Sequence, residues 1–160
     1  MLRAIGLALG LVFAGSASAA LQSVEISFSK EEALTDLQIG SNRGEDVRQA
    51  FADAVTRFFL SSGVQAEQGS ALTLEFHDVD MAGEVQYWRN PEGRPIRYVE
   101  LAYPARLSFS YQLRNAEGQA LESGDVQVQE VPFSLNTMRY RNRPFAYEVK
   151  ALRDWWRKRD

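Results

Sequence analysis

The chain has no cysteine and a single histidine, His77. The first absence excludes disulfide frameworks, thiol nucleophiles and cysteine-based zinc sites. The second excludes metal centres built from several imidazoles. Long apolar runs are missing too. The one unbroken stretch, Ala4 to Ala14, falls short of the roughly 20 apolar residues that a membrane-spanning helix needs. Basic charge is scarce through most of the chain: residues 20–137 hold 9 basic and 18 acidic side chains. A body of that sign repels a phosphate backbone, so nucleic acid is not an expected partner.

What is present at the start reads as an export signal. Arg3 supplies a positive beginning, the Ala4–Ala14 run follows, and Ala17 and Ala19 stand in the small-residue spacing of a cleavage site. A buried N-terminal helix would show a polar face, and this run has none. Residues 1–19 are therefore expected to be a signal peptide cut after Ala19, delivering residues 20–160 to the periplasm. No cysteine stands at the cut, which excludes a lipid anchor there. The remaining length suits one domain, large enough to be held by hydrophobic packing without cross-links.

Periodicity then sets the expected elements. Val24, Ile26 and Phe28 alternate with polar residues as in a half-buried strand. Val47, Ala50, Phe51, Ala54, Val55, Phe58 and Phe59 recur at helical spacing, with Asn42 and Glu45 resembling a capping box and Gly63 suited to the stop. Leu72, Leu74 and Phe76 alternate again, until the pattern fails at Asp78. Two short strands are expected around Asn90-Pro91-Glu92-Gly93. Leu107, Phe109, Tyr111 and Leu113 begin a hairpin that turns at Asn115–Gly118, and Gly124 is a candidate bulge in its second strand. Phe145, Val149, Leu152 and Trp156 mark a last helix with Pro144 in its first turn. The expected fold is α+β: a mixed, mostly antiparallel sheet with two helices packed on one face, in a single domain.

Four short motifs sharpen this. They are Leu34-Thr35-Asp36, Asp78-Val79-Asp80-Met81-Ala82-Gly83, Tyr103-Pro104 before the Leu107 strand, and Tyr147-Glu148 followed by Leu152 and Asp154-Trp155. With them the chain resembles the exported proteins that share the domain of unknown function 3016, over nearly all of residues 20–160. Met81 stands where that pattern has Leu, and the Trp88–Tyr98 segment is less typical of it. The resemblance implies a proteobacterial envelope protein and implies no activity.

Two groups of residues are candidates for function. Asp78, Asp80, Gly83 and Glu84 form the first; on one strand face the three acids could act as an acid/base pair or hold a cation. Glu100 could join them. The plainer reading has Asp78 and Asp80 bonding backbone N–H groups where the strand bends, with Gly83 in a special dihedral. Arg139, Tyr140, Arg141 and Arg143 form the second, continued by Arg153, Arg157, Lys158 and Arg159. Arginines with aromatics suit phosphate- or carboxylate-bearing partners, whereas the plainer reading is a solvated helix rim with Tyr147, Trp155 and Trp156 in the core. His77 reads as a surface residue, and no serine stands in a nucleophile context. No metal and no cofactor is assigned. The preferred reading is a non-enzymatic binding or accessory module of the cell envelope, with an envelope protein or an anionic envelope component as partner. Its rival is a carboxylate hydrolase or cation-binding protein using Asp78, Asp80 and Glu84.

Overall fold

The computed structural model describes residues 18–29, 34–37, 44–61, 64–89, 97–132 and 143–159. Its main sheet has four strands in the order β2 (Ser23–Phe28), β4 (Ala71–Asp80), β7 (Ala105–Arg114) and β8 (Ala120–Glu130). β2 runs parallel to β4, and the other pairs are antiparallel. A parallel pair needs a crossover, and α1 (Gly44–Phe59) supplies it. Two ribbons stand apart from this sheet: β1 (Ser18–Ala19) with β3 (Ala66–Glu67), and β5 (Glu84–Val85) with β6 (Arg97–Tyr98). α2 (Ala146–Lys158) closes the chain, so the fold is α+β as its periodicities require. No helix among the described residues is long and apolar enough to cross a membrane. Asn42, Gly63 and the Asn90–Gly93 turn lie outside the described residues.

β4 continues where the alternation fails. Its pairing with β7 slips by one residue between Phe76 and Asp78. This is a β-bulge with His77 as the extra residue. Before it Leu72, Leu74 and Phe76 are buried; after it Val79 is. The bulge therefore keeps both halves of the strand packed on the same core while moving the polar positions by one. Gly124 is not a bulge: it pairs in register with Tyr111, and the hairpin's irregularity falls at Leu113/Arg114. A side chain at position 124 would press on the Tyr111 ring.

Aromatic side chains tie both helices to the sheet. Phe51 of α1 meets Phe76 edge-on at 5.1 Å, and Phe59 meets Trp156 at 5.4 Å. Trp155 packs edge-on against Phe109 and Tyr111. The buried stripe of α2 comprises Glu148, Ala151, Leu152 and Trp156, with Trp155 packed beside it. It keeps Leu152, Trp155 and Trp156 of the expected stripe and Phe145 packs against the same core, whereas Val149 is left only half-buried. Pro144 precedes the helix rather than lying in its first turn. Phe145 stands at the helix start with φ 53° and packs on Phe51.

Candidate functional site

The motif residues meet at the turn that follows β4. The Asp78 carboxylate accepts the Thr35 N–H at 2.8 Å, and Asp36 accepts the Met81 N–H at 2.7 Å. Glu148, from the first turn of α2, accepts the Ala82 N–H at 2.8 Å. Arg97 closes the assembly from β6, donating to the Gly83 carbonyl at 2.7 Å and to Asp36 at 2.6 Å. Gly83 has φ 88°, and a Cβ there would collide with the Tyr98 carbonyl. Four distant segments are thus joined through backbone groups of one turn.

The three acids singled out from the sequence do not all border one cleft. Asp80 and Glu84 border a cleft of about 270 Å³ with Asp36, Arg97, Tyr103 and Arg106. Asp78 borders a separate depression beside Ser108 and Gln127. Each acid has its own donor. Asp80 pairs with Arg106 at 3.1 Å, and Glu84 accepts from Gln86 at 3.4 Å while raising the pKa of the hydrogen-bonded Tyr103 hydroxyl. Among the described residues no three His, Asp or Glu side chains stand where they could share a metal ion. Asp78 and Asp36 fix the turn through backbone N–H groups, while Asp80 and Glu84 border one cleft, each with its own side-chain donor.

The carboxyl whose pKa is raised in this assembly is that of Glu148. Burial raises its pKa; the N–H groups of Ala82 and of Glu148 itself, with the Arg97 charge, oppose the rise, and Asp36 adds to it. Asp36, Arg97 and Glu148 were not among the candidate residues. Asp36 and Glu148 were visible as motif members, whereas Arg97 falls in the segment that departs from the motif pattern.

His77 has more company than a surface histidine. Its Nε2 lies 2.6 Å from Ser110 Oγ, and Ser110 donates to Asp125 at 2.5 Å. The order differs from that of a catalytic triad, where the imidazole sits between acid and serine. Here the serine is in the middle. Its hydroxyl donates to Asp125 rather than to the imidazole.

Another concavity lies between the two helices, with a volume of about 500 Å³. α1 lines it with Ala54, Arg57 and Phe58; Arg143, Ala146, Val149, Arg153 and Arg157 face them from the α2 side. Lys150 also borders it, but its ammonium is committed to Glu130 and Asp154, each at 2.6 Å. Burial lowers the Lys150 pKa, and the two carboxylates outweigh that, so the net shift is upward. The C-terminal basic stretch therefore divides. Arg153 lies 3.5 Å from Asp154, and Arg159 stacks on the Trp156 ring at 3.7 Å beside Glu122. Arg57, Arg143 and Arg157 are exposed and have no carboxylate partner among the described residues. Arg139, Tyr140 and Arg141 lie outside the described residues. Tyr147 and Trp156 are buried.

Geometry of this kind defines a single α+β domain with a locked turn and a basic, apolar-floored groove. The chain belongs to the family described as "Protein of unknown function (DUF3016)", whose pattern matches residues 22–158. A search of curated proteins finds no match. Among solved structures the chain is similar to a PelC dodecamer variant from Paraburkholderia phytofirmans, at 10% identity and a TM-score of 0.36, covering 86% of this chain and 82% of that one.

Proposed function

We propose that this protein is a non-enzymatic binding module of the bacterial cell envelope, exported by residues 1–19 and working in the periplasm as residues 20–160. Its binding site is the groove between α1 and α2, and its ligand is an anion with an apolar part. One observation carries this reading: Arg57, Arg143 and Arg157 surround an apolar floor with no carboxylate of their own among the described residues. Guanidinium groups pair with carboxylate and phosphate through a fixed fork of donors, and an apolar floor rewards burial of hydrocarbon. The rival hydrolase or cation reading has less support, since Asp78, Asp80 and Glu84 are each held by a different partner.

Titration of the mature protein with anilinonaphthalene sulfonate, an apolar anion that brightens in apolar surroundings, tests the site. Saturable binding that weakens in Arg57→Gln and Arg157→Gln supports it. Absence of binding by the folded protein overturns it. Recovery of a chain beginning at Ala20 from the periplasmic fraction tests the location.

A further inference from the structure

The groove has a direction. Phe51 in α1 meets Phe145 at the start of α2, while Phe59 at the end of α1 meets Trp156 near the end of α2. The two helices therefore run the same way, and their last turns lie together. Arg57 stands in the last turn of α1 and Arg157 in the last turn of α2. Arg143 is at the opposite end. With 13 residues in α2 the two ends are about 20 Å apart. Ala54, Phe58, Ala146 and Val149 fill the interval.

Resting on the binding reading above, we infer that the groove takes a single-chain lipid bearing a phosphate monoester, its head between Arg57 and Arg157 and its chain running toward Ala146. Charge decides the head group. Two guanidinium groups with no carboxylate partner among the described residues border the groove at the end where both helices finish, and a carboxylate would balance only one of them. A phosphate monoester carries about −1.5 to −2 at neutral pH and offers three acceptor oxygens, enough for both forks. Shape decides the tail. A concave site of about 500 Å³ with an apolar floor lies within the range of small-ligand pockets. Lys150 does not compete for the head, since Glu130 and Asp154 already neutralise it.

The test is displacement of bound anilinonaphthalene sulfonate from the mature protein by palmitoyl lysophosphatidic acid, palmitate, palmitoyl lysophosphatidylcholine and inorganic phosphate, all below micelle-forming concentration. The phosphomonoester lipid should displace the dye most tightly, about tenfold better than palmitate, as one extra charge-assisted contact gives. Inorganic phosphate alone should not displace it. Arg57→Gln and Arg157→Gln should each weaken the lysophosphatidic acid about tenfold, Arg143→Gln should weaken it less than either, and Arg114→Gln on β7, outside the groove, should change it little; circular dichroism checks that each variant folds. Equal or tighter displacement by palmitate overturns the phosphate assignment and leaves the binding reading intact. Loss confined to Arg143→Gln overturns the orientation, and points to an acidic peptide or a two-headed anion spanning the groove. Displacement only by micelles or anionic vesicles points to a membrane surface and overturns the lipid-monomer assignment. Failure of the dye itself to bind overturns the binding reading.

Discussion

Glu148 accepts a hydrogen bond from the Ala82 amide across 66 residues of sequence, with the carboxyl almost wholly buried. That bond fastens the start of α2 to the turn after β4. It places the one strongly desolvated carboxyl among the motif residues under a structural load rather than in a substrate cleft.

Replacement of Glu148 separates the bond from the charge. Glu148→Ala leaves the Ala82 N–H unpaired and should cost about 1–3 kcal/mol. Glu148→Gln keeps an acceptor without the buried charge. Because the folded pKa lies above the ordinary 4.5, the wild type loses stability as pH rises from 4.5 through the folded value, and the glutamine variant does not. Urea unfolding across that interval should show Glu148→Gln gaining on the wild type toward neutral pH. A constant difference between them would contradict this.

Lys150, Glu130 and Asp154 should behave in the opposite sense. Although burial pushes the Asp154 pKa up, Lys150 and Arg153 outweigh it and hold the carboxyl below its usual 3.8. Its stabilising contribution is therefore present above 3.8 and lost as pH falls through the lower folded value. Lys150→Ala removes the ammonium paired with the buried Glu130 and with Asp154, and should cost about 3 kcal/mol near neutral pH, with the loss shrinking in acid. Chemical denaturation at neutral and acid pH measures both.

Two glycines with the same sign of φ make a controlled comparison. Gly118 has φ 80° with open space around it, so Gly118→Ala should cost only the left-handed backbone, about 1–2 kcal/mol. Gly83→Ala adds a collision with the Tyr98 backbone, and should cost about 4 kcal/mol or more, or abolish soluble expression. Thermal unfolding ranks the two.

The elements whose packing is local could be read from the sequence. Val47, Phe51, Val55 and Phe59 face one way on α1 because a helix repeats every 3.6 residues, and the Leu107–Leu113 alternation marks β7 for the equivalent reason. The bulge at His77 was legible only as a loss of pattern, since one inserted residue breaks the alternation without ending the strand. On α2, Leu152, Trp155 and Trp156 face the core as their spacing predicts, whereas Glu148 is buried by a distant amide and Val149 faces the groove; neither of these two follows from periodicity. The ties from Asp36 to Met81 and from Glu148 to Ala82 span 45 and 66 residues, a separation at which spacing carries no information. Arg57 was hidden for the same reason, since only the pairing of the two helices brings it opposite Arg157.

Removal of residues 1–19 should leave the domain intact. It deletes β1, a two-residue strand paired only with β3 and separate from the main sheet. Residues 20–160 should unfold within about 0.5 kcal/mol of the longer chain. A larger loss in urea unfolding would place β1 within the cooperative unit and argue against cleavage after Ala19.

Site-specific photocrosslinking in the intact cell envelope tests the groove most directly. A photoreactive phenylalanine replaces Phe58 on the groove floor, or Gln127 on the exposed face of β8 as a control. Adducts at position 58 that disappear when Arg57 and Arg157 become Gln are the expected result. Adducts at position 127 with none at 58, or adducts at 58 that are indifferent to both arginines, would contradict a binding site between the helices.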